Sequence, residues 1–282
     1  MKKILVLLIA VLSLFIISCD NDIDTDTSID TDTGISALPN DSPELYEYKE
    51  TGICYEVIGI KENREEIIIP SSYNGKKVIG IGEKAFFGNT TVKKVSIPEG
   101  IRYINSKAFK DCKNLEKINF PATLTKLGED AIFNCDKLKY ESYQGCSYIG
   151  NWLMRLDNKE IDVLEIRENT VGIAPFAVYF APKLRNVSIP NSVKYIGSHA
   201  FFACSFLRTI NLGKGVEYIG EYAFANCSLF KNIDIGENIK DIKANAFYGC
   251  KGTITYMGAA IPVGFELGWN GECEILMGKE NG

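Results

Sequence analysis

Apolar residues recur along this chain with a period of 23 residues. Three consecutive segments, 184–206, 207–229 and 230–252, each carry apolar residues at their first, fourth and sixth positions, and then share an Ile, an Ala-Phe pair and a Cys at matching places. Self-similarity at such a period is typical of a solenoid, in which each repeat is too small to bury its own apolar face and stacks on its neighbours. The pattern predicts a mainly β solenoid of about seven to eight such coils.

The first six residues of each coil predict a short β-strand. In the hexamer that begins at Leu184, the apolar residues Val187 and Ile189 lie two positions apart and therefore on one face of a strand. Leu184, Val187 and Ile189 are all expected to point into the solenoid. Equivalent strands of successive coils stack in parallel at about 4.8 Å. A proline that follows the hexamer has no amide donor, so it ends the strand at the same height in each coil. These prolines are Pro70, Pro98, Pro121 and Pro190.

The Ala-Phe pair and the Cys predict the opposite wall of the solenoid. The small Ala allows neighbouring coils to approach, and the Phe fills the space between them. A stacked aromatic spine is therefore expected at Phe86, Phe109, Phe201, Phe224 and Phe247. The periodic cysteines are expected to be buried as free thiols, with bridges between neighbouring coils as the alternative. They are Cys112, Cys135, Cys204, Cys227 and Cys250.

The leucine-, isoleucine- and phenylalanine-rich coils occupy residues 65–252, and the flanking segments differ in composition. Residues 44–64 contain two alternating runs around a Thr-Gly turn, which predicts an N-terminal β-hairpin cap. Residues 253–282 are rich in Gly and aromatic residues and are expected to cover the last apolar layer as a C-terminal cap. One irregular coil, 138–160, departs from the pattern without shifting its register. We expect its return path to form a hairpin that projects from the solenoid.

The start of the chain has the pattern of an export signal. Two Lys precede the apolar run 4–17, which matches the hydrophobic part of a secretory signal peptide and is short for a membrane span. The run closes on Ile-Ile-Ser-Cys, which resembles a bacterial lipobox. Residues 1–18 are therefore predicted to be a lipoprotein signal peptide and Cys19 the lipid-modified residue, with an ordinary signal peptide and an incidental Cys as the alternative. Residues 19–43 are acidic and lack aromatic side chains, which predicts a disordered tether.

Composition narrows the range of functions. The formal net charge is −5 and the pI is about 5.2, so nothing indicates the basic face that nucleic acid requires. The single His, His199, lies at a variable position of the repeat, and the periodic Cys form no CxxC pair, so neither a metal nor a cofactor is expected. The chain shows no pattern of nucleophile and base and no phosphate loop. We predict that it is not an enzyme; a carboxylate pair that acts on glycans is the alternative.

The repeat unit LxxIxIPxxVxxIGxxAFxxCxx resembles the leucine-rich repeats of the BspA-like class, which also occur in treponemal surface proteins. The resemblance covers residues 65–252 and rests on SIP at 96–98 and 188–190 and on YIG at 195–197 and 218–220. It implies a leucine-rich repeat solenoid in a bacterial surface or secreted binding protein. It also implies an adhesin for host matrix proteins such as fibronectin and fibrinogen, or for other bacteria. It implies no catalytic residue and no ligand motif.

The candidate binding face is the outer surface of the predicted strands. The third and fifth residues of each hexamer point outward, so they form two rows of side chains along the solenoid. The rows are basic at the N-terminal end and small and polar further on, which suits contact with a protein or a glycan through many modest hydrogen bonds. A merely solvated face is the alternative. The candidate residues are Lys94, Ser96, Lys117, Asn119, Glu165, Asn186, Ser188, Thr209, Asn211, Asn232 and Asp234.

The irregular coil supplies a second candidate site. Tyr143, Tyr148 and Trp152 lie in its expected hairpin, and exposed Tyr and Trp are enriched at interaction hot spots. If the hairpin projects, these three side chains form an aromatic anchor for a partner. The alternative is that Trp152 packs back onto the solenoid.

Together these features predict a monomeric, lipid-anchored protein of the bacterial envelope, at the outer membrane or cell surface, that binds a protein or glycan. The alternative is a structural or assembly scaffold of the same fold that faces the periplasm and has no host ligand. Asp20, directly after the Cys that would carry the lipid, resembles an inner-membrane retention signal of some bacteria. Because sorting rules differ between bacterial groups, the membrane leaflet is left open.

Overall fold

The computed structural model describes residues 42–278, which wind into a solenoid of about ten turns. Within these residues the only helical element is a 3-10 turn at Pro43–Leu45. The predicted signal peptide, the candidate lipidation residue Cys19 and most of the predicted tether lie outside the described residues. In chain order the strands are β1 (Tyr46–Thr51), β2 (Cys54–Ile60), β3 (Glu66–Ile68), β4 (Ser72–Tyr73), β5 (Lys76–Ile81), β6 (Lys94–Ser96), β7 (Tyr103–Ile104), β8 (Lys117–Ile118), β9 (Lys126–Leu127), β10 (Glu141–Tyr143), β11 (Cys146–Ile149), β12 (Trp152–Leu156), β13 (Val163–Glu165), β14 (Gly172–Ile173), β15 (Asn186–Ser188), β16 (Tyr195–Ile196), β17 (Thr209–Asn211), β18 (Tyr218–Ile219), β19 (Asn232–Ile235), β20 (Asp241–Ile242), β21 (Thr253–Tyr256) and β22 (Glu274–Met277).

Two faces of the solenoid are β-sheets whose strands succeed one another coil by coil. The first, which we call the strand face, has the strand orders β3-β6-β8 and β13-β15-β17-β19-β21-β22. The second face has the orders β1-β2-β5-β7-β9, with β4 on β5, and β10-β11-β12-β14-β16-β18-β20. Partners in the regular coils lie one period apart, since Asn186 pairs with Thr209 and Tyr195 with Tyr218. The predicted parallel stacking of leucine-rich repeats is confirmed.

The core between the two faces is built from the periodic apolar residues. Leu184, Val187 and Ile189 are all buried, which confirms the inward direction of the first, fourth and sixth positions. They form one buried cluster with the Ala and Phe of the opposite wall, Ala200 and Phe201 in this coil.

The predicted aromatic spine is present, in two runs. The rings of Phe86 and Phe109 stack with their centroids 4.9 Å apart, and those of Phe201, Phe224 and Phe247 follow one another at 5.1 and 5.2 Å. All five rings are buried. The spine is interrupted between the two runs, where the irregular coil lies.

The periodic cysteines are buried and free, as expected. Each thiol donates a hydrogen bond to a backbone carbonyl of the preceding coil, as from Cys112 Sγ to Phe86 O at 3.0 Å. Burial raises the pKa of the Cys112 thiol to about 12, so the group keeps the proton that it donates. The same type of bond is made by Cys135, Cys204, Cys227 and Cys250.

Each coil closes through a turn that contains the Ala-Phe pair, and we call the row of these turns the turn edge. Two residues in a turn have a left-handed backbone, four positions apart, as at His199 with φ 57° and Ala203 with φ 58°. Backbone bonds join neighbouring turns, since Phe201 N donates to Ala223 O at 2.7 Å. The turn edge is therefore a third hydrogen-bonded row along the solenoid, although it contains no β-strand.

The two ends of the solenoid are closed in different ways. β1 and β2 form an antiparallel hairpin in the segment where the sequence predicts one, and β2 continues in parallel onto β5. At the other end the stacking extends further than the sequence indicates. β21 and β22 pair in register with β19 and with each other, and Trp269 and Cys273 are buried. The C-terminal segment thus adds coils rather than only covering the last one.

The irregular coil does not project from the solenoid, so that prediction is wrong. β10, β11 and β12 form an antiparallel meander, and β12 continues in parallel onto β14, which makes the meander part of the second face. Trp152 is only 2% exposed and packs across Gly172, where an added Cβ would lie 2.5 Å from the indole ring. The missing side chain at Gly172 leaves the space that the indole fills. We call residues 138–160 the junction.

Candidate binding surfaces

The strand face presents its outward residues in two rows. In β13, β15, β17 and β19 of the six-stranded sheet these residues are exposed. Ser188 pairs directly with Asn211, and Asn186 with Thr209. Neighbouring members of a row are therefore one strand spacing apart, at about 4.8 Å. One row contains Asn186, Thr209 and Asn232, and the other contains Glu165, Ser188, Asn211 and Asp234.

These two rows have unfilled hydrogen-bonding capacity. In the described part of the chain, the side chains of both rows take no part in a hydrogen bond or ion pair with another protein group. Their amide, hydroxyl and carboxylate groups are therefore open to solvent. A partner that replaces this solvent can bond to them without breaking contacts inside the protein.

The N-terminal part of the strand face is less available than its sequence indicates. Lys94 Nζ lies 2.6 Å from Glu66 Oε1, and this hydrogen bond raises the pKa of Lys94. Asn119 Nδ2 donates to Ile97 O at 2.8 Å, and Asn119 Oδ1 accepts from Ile97 N at 2.9 Å. Ser96 is half-buried. Two candidate side chains of this part are thus already paired within the protein.

The junction interrupts the strand face. β8 and β13 belong to different sheets, and a cleft of about 430 Å³ opens between β8 and the junction strands β10 and β11. Lys117, Lys139 and Glu141 line this cleft. Arg167 lies over the ring of Tyr148 at 4.3 Å and pairs with Glu141 at 3.2 Å. The candidate residues therefore fall into two groups rather than one continuous surface.

The predicted aromatic anchor at the junction is not assembled. Tyr143 is 40% exposed, but Tyr148 and Trp152 are 1% and 2% exposed. The indole of Trp152 lies 5.6 Å from the ring of Tyr195, inside the second face. The anchor hypothesis is wrong for Tyr148 and Trp152, and the alternative, that Trp152 packs onto the solenoid, is correct.

Aromatic side chains are concentrated on the turn edge, where no site was predicted. The rings of Phe176, His199 and Tyr222 stack in a row, with centroids 4.7 and 5.2 Å apart. A second, exposed row follows the Ala-Phe position, and its members are separated by multiples of the 23-residue period. This spacing is the signal by which the sequence could have revealed them. The members are Phe87, Phe133, Tyr179 and Tyr248.

A larger cleft, of about 790 Å³, lies on the turn edge beside the junction. Asp130 and Phe133 line one side, and Phe176 and Tyr179 line the other. Residues 152–156, which lie one period from these turns, form β12 instead of a turn. The cleft is the gap that this substitution of strand for turn leaves.

Other functional chemistry is sparse within residues 42–278. These residues contain no group of three or more His, Cys, Asp and Glu side chains that could hold a metal ion. Over the same range, no helix has the length and apolar character needed to cross a membrane. His199 has its Nδ1 3.4 Å from Glu129 Oε1 and its ring between two aromatic rings, so its role is one of packing.

The stacked coils and their outward rows define a leucine-rich repeat solenoid. The chain belongs to the BspA type of leucine-rich repeat proteins: the sequence model of the BspA type leucine rich repeat region matches residues 61–158 and 154–254, with six copies. This confirms the resemblance seen in the repeat unit. Leucine-rich repeat proteins generally bind protein partners. No curated protein sequence matches the chain.

Several solved structures of bacterial leucine-rich repeat proteins are similar at low identity. The T. pallidum leucine-rich repeat protein is 22% identical over 76% of this chain and 86% of its own, with a TM-score of 0.42. A leucine-rich cell surface protein of Faecalibacterium prausnitzii is 17% identical over 87% of this chain and 96% of its own, with a TM-score of 0.44. The pneumococcal vaccine antigen PcpA is 12% identical over 83% of this chain and 96% of its own, with a TM-score of 0.36.

Proposed function

We propose that this chain is an adhesin-like, lipid-anchored protein of the bacterial surface whose strand face binds a macromolecular partner. The observation that carries the proposal is the six-stranded part of that face. There, two exposed rows of polar side chains have no protein partner within residues 42–278. Interfaces between proteins are held by hydrogen bonds spread over their area, and these rows offer donors and acceptors at each strand. Membership of a repeat class that generally binds proteins supports the proposal.

The partner class we propose is an extended segment of a host matrix protein of the fibronectin or fibrinogen kind, with a surface glycan as the second choice. The rows contain Asn, Thr and Ser together with the carboxylates of Glu165 and Asp234. Their charge favours a partner segment that carries Lys or Arg, because complementary charge speeds association and suppresses wrong partners.

Immobilised fibronectin and fibrinogen provide a test of the strand face. The triple variant Asn186→Ala, Thr209→Ala, Asn211→Ala removes three exposed side chains without breaking a bond inside the protein. Three hydrogen bonds of about 0.5–1.5 kcal/mol each predict a loss of affinity of about tenfold or more. The control variant Asn169→Ala, Ser228→Ala removes exposed polar groups that lie outside the strands of that face. Equal affinities for the two variants would contradict the proposal.

Surface exposure is tested by protease treatment of intact cells. We expect the solenoid, detected with an antibody against residues 42–278, to be lost while a periplasmic protein survives as the control. Survival of the solenoid until the envelope is breached would contradict surface exposure. It would favour the alternative of a periplasm-facing scaffold without a host ligand.

The anchor is proposed from the sequence, in which the apolar run 4–17 closes on Cys19. Residues 19–43 would then hold the solenoid away from the membrane as a tether. Cys19→Ser removes the thiol that takes the lipid. We expect the unmodified sequence to incorporate labelled palmitate and to enter the detergent phase, and the variant to do neither. Incorporation of label by the variant would show that the lipid is elsewhere, and absence of label from the unmodified sequence would show that the export signal is an ordinary one.

A further inference from the structure

The geometry of the turn edge points to a second binding site: we propose that the 790 Å³ cleft beside the junction binds a pyranose ring of an uncharged glycan. Its volume lies within the range of about 300–1,000 Å³ that is usual for ligand sites. The site is on a different surface from the strand face and does not rest on the function proposed there.

One missing layer of the turn edge creates the cleft. Along the regular coils the rings of Tyr222, His199 and Phe176 stack in a row, one residue for each period. The equivalent residue one period before Phe176 is Leu153, which lies in β12 and is buried in the core. The equivalent residue one further period towards the N-terminus is Asp130. Phe176 and Asp130 both line the cleft, so the position that a further ring would occupy in the row is open to a ligand.

Contacts on the second face hold the two sides of the cleft together. Tyr195 Oη donates to Leu127 O at 3.1 Å, across the layer that contains Trp152. On the turn edge, Glu129 Oε1 approaches His199 Nδ1 to 3.4 Å without a hydrogen bond. These contacts join the coil before the junction to coils beyond it. The cleft is therefore preorganised, which reduces the ordering cost of binding.

The aromatic side chains of the cleft suit the apolar face of a sugar. One face of the Phe176 ring is stacked on His199, and Tyr179 packs against Phe176 with centroids 6.1 Å apart and planes at 90°. Phe176 is half-buried and lines the cleft, so part of its ring is open to a ligand. The C–H groups on one side of a pyranose carry partial positive charge, and an aromatic face, which is negative, attracts them. Phe133, 59% exposed, supplies a second ring on the opposite side.

The charges around the cleft favour an uncharged ligand. Lys110 Nζ pairs with Asp130 Oδ2 at 2.7 Å, and Arg155 Nε pairs with Asp157 Oδ1 at 2.5 Å. Asp136, an exposed residue that lines the cleft, adds an acceptor for sugar hydroxyls and a residual negative charge. Lys159 Nζ, 4.9 Å from the centroid of the Tyr179 ring, offsets that charge, so the cleft offers a phosphate or an acidic sugar no net attraction. An uncharged hexose or N-acetylhexosamine offers the apolar face and the hydroxyl donors that the cleft can use.

The test uses the full chain on an array of uncharged hexose and N-acetylhexosamine oligosaccharides, followed by calorimetric titration with the best-bound oligosaccharide. Phe176→Ala is expected to weaken binding by about tenfold, the upper range for one aromatic stacking contact, and Phe176→Tyr to retain it. Tyr222→Ala is the matched control, because Tyr222 belongs to the same stacked row and lies outside the cleft. It is expected to bind as the unmodified chain does.

A second variant keeps the test decisive if Phe176→Ala does not fold. Phe133→Ala changes an exposed side chain and is expected to lose several-fold in affinity with an unchanged folding transition. The strand-face triple variant is expected to bind the oligosaccharide normally, so failure of this site and failure of the strand face are distinguishable. The proposal is overturned if the folded chain binds no uncharged glycan at millimolar concentration. Equal binding by Phe133→Ala and the unmodified chain would overturn it as well.

Discussion

The regular coils and the junction are attached to their neighbours in different ways. Successive regular coils are joined by backbone hydrogen bonds along the strand face, the second face and the turn edge, as where Phe224 N donates to Ala246 O at 2.8 Å. Residues 115–137 and the junction are joined far more weakly. Apart from the local turn at Leu138, the one backbone hydrogen bond between them in the described part of the chain runs from Lys139 N to Glu116 O, at 3.1 Å. The regular coils share one geometry because their hydrogen-bond ladders impose it.

The junction replaces those ladders with side chains. Trp152 fills the space over Gly172, and Tyr195 reaches past it to a carbonyl of the preceding coil. Arg155, which stands in the register of the spine phenylalanines, is exposed instead of buried. The comparison teaches that the repeat period is maintained by backbone bonds, whereas a break in the period is repaired by particular side chains.

The largest expected effect is that of Trp152→Ala. Loss of a buried indole costs about 3–5 kcal/mol of unfolding free energy. Because few backbone bonds cross the junction, we also expect unfolding to separate into two transitions, which calorimetry would resolve. Phe224→Ala removes a ring of similar burial from a regular coil and is expected to cost about the same with a single transition. Two transitions in both variants, or in neither, would contradict the comparison.

Gly172→Ala tests the space beside the junction more finely. The added Cβ would lie 2.5 Å from the Trp152 ring, so overpacking is expected to cost about 1–3 kcal/mol. In Gly236→Ala the Cβ meets nothing within 4 Å, and this control is expected to be neutral or to stabilise by about 0.4–1 kcal/mol. Urea unfolding measures both. Equal behaviour of the two variants would show that the indole has room to move.

In a regular coil, Ala203→Gly is expected to stabilise the chain by about 1 kcal/mol. Ala203 has φ 58°, a conformation that costs an L-residue about 1–2 kcal/mol and glycine very little. Ala225→Gly changes a buried alanine outside the left-handed region and is expected to destabilise by about 0.5–1 kcal/mol. A lower thermal midpoint for Ala203→Gly would mean that the turn is held by its Cβ contacts rather than strained.

The smallest effect is expected from Asn211→Ala on the six-stranded strand face, because an exposed side chain without internal bonds changes stability by less than about 0.5 kcal/mol. Asn119→Ala, on the three-stranded part, breaks two bonds to Ile97 and is expected to cost about 1 kcal/mol. Chemical unfolding measures the stability of both variants. It distinguishes a strand-face side chain that makes no internal bond from one whose bonds stabilise the fold. Identical stabilities would contradict that division.

The periodic features could be read from the sequence because each is repeated with the backbone ladder. The inward direction of Val187 and the stacking of Phe201 on Phe224 follow from a spacing of 23 residues. The position of Trp152 could not be read in this way. Its burial depends on Gly172 in the next coil, and a contact between two non-equivalent positions has no periodic signal.

The candidate binding surfaces were only partly predictable for the same reason. The outward direction of Asn186 follows from the alternation of a strand, but the pairing of Asn119 with Ile97 depends on local backbone geometry. The cleft on the turn edge arises from a turn that is replaced by β12. A departure from the repeat shows where such a feature lies, and only the three-dimensional structure shows its shape.

The sparse bonding at the junction also determines how the solenoid responds to force. Under the proposed function, in which the chain is held at its N-terminal end and pulled through a partner on the strand face, tension passes along the stack and the coils bear it in series. The regular coils share it among three rows of backbone bonds, whereas the step before the junction has Lys139 N with Glu116 O and a few side-chain contacts. We expect this step to open first and to extend the chain while the six-stranded part of the strand face keeps its shape.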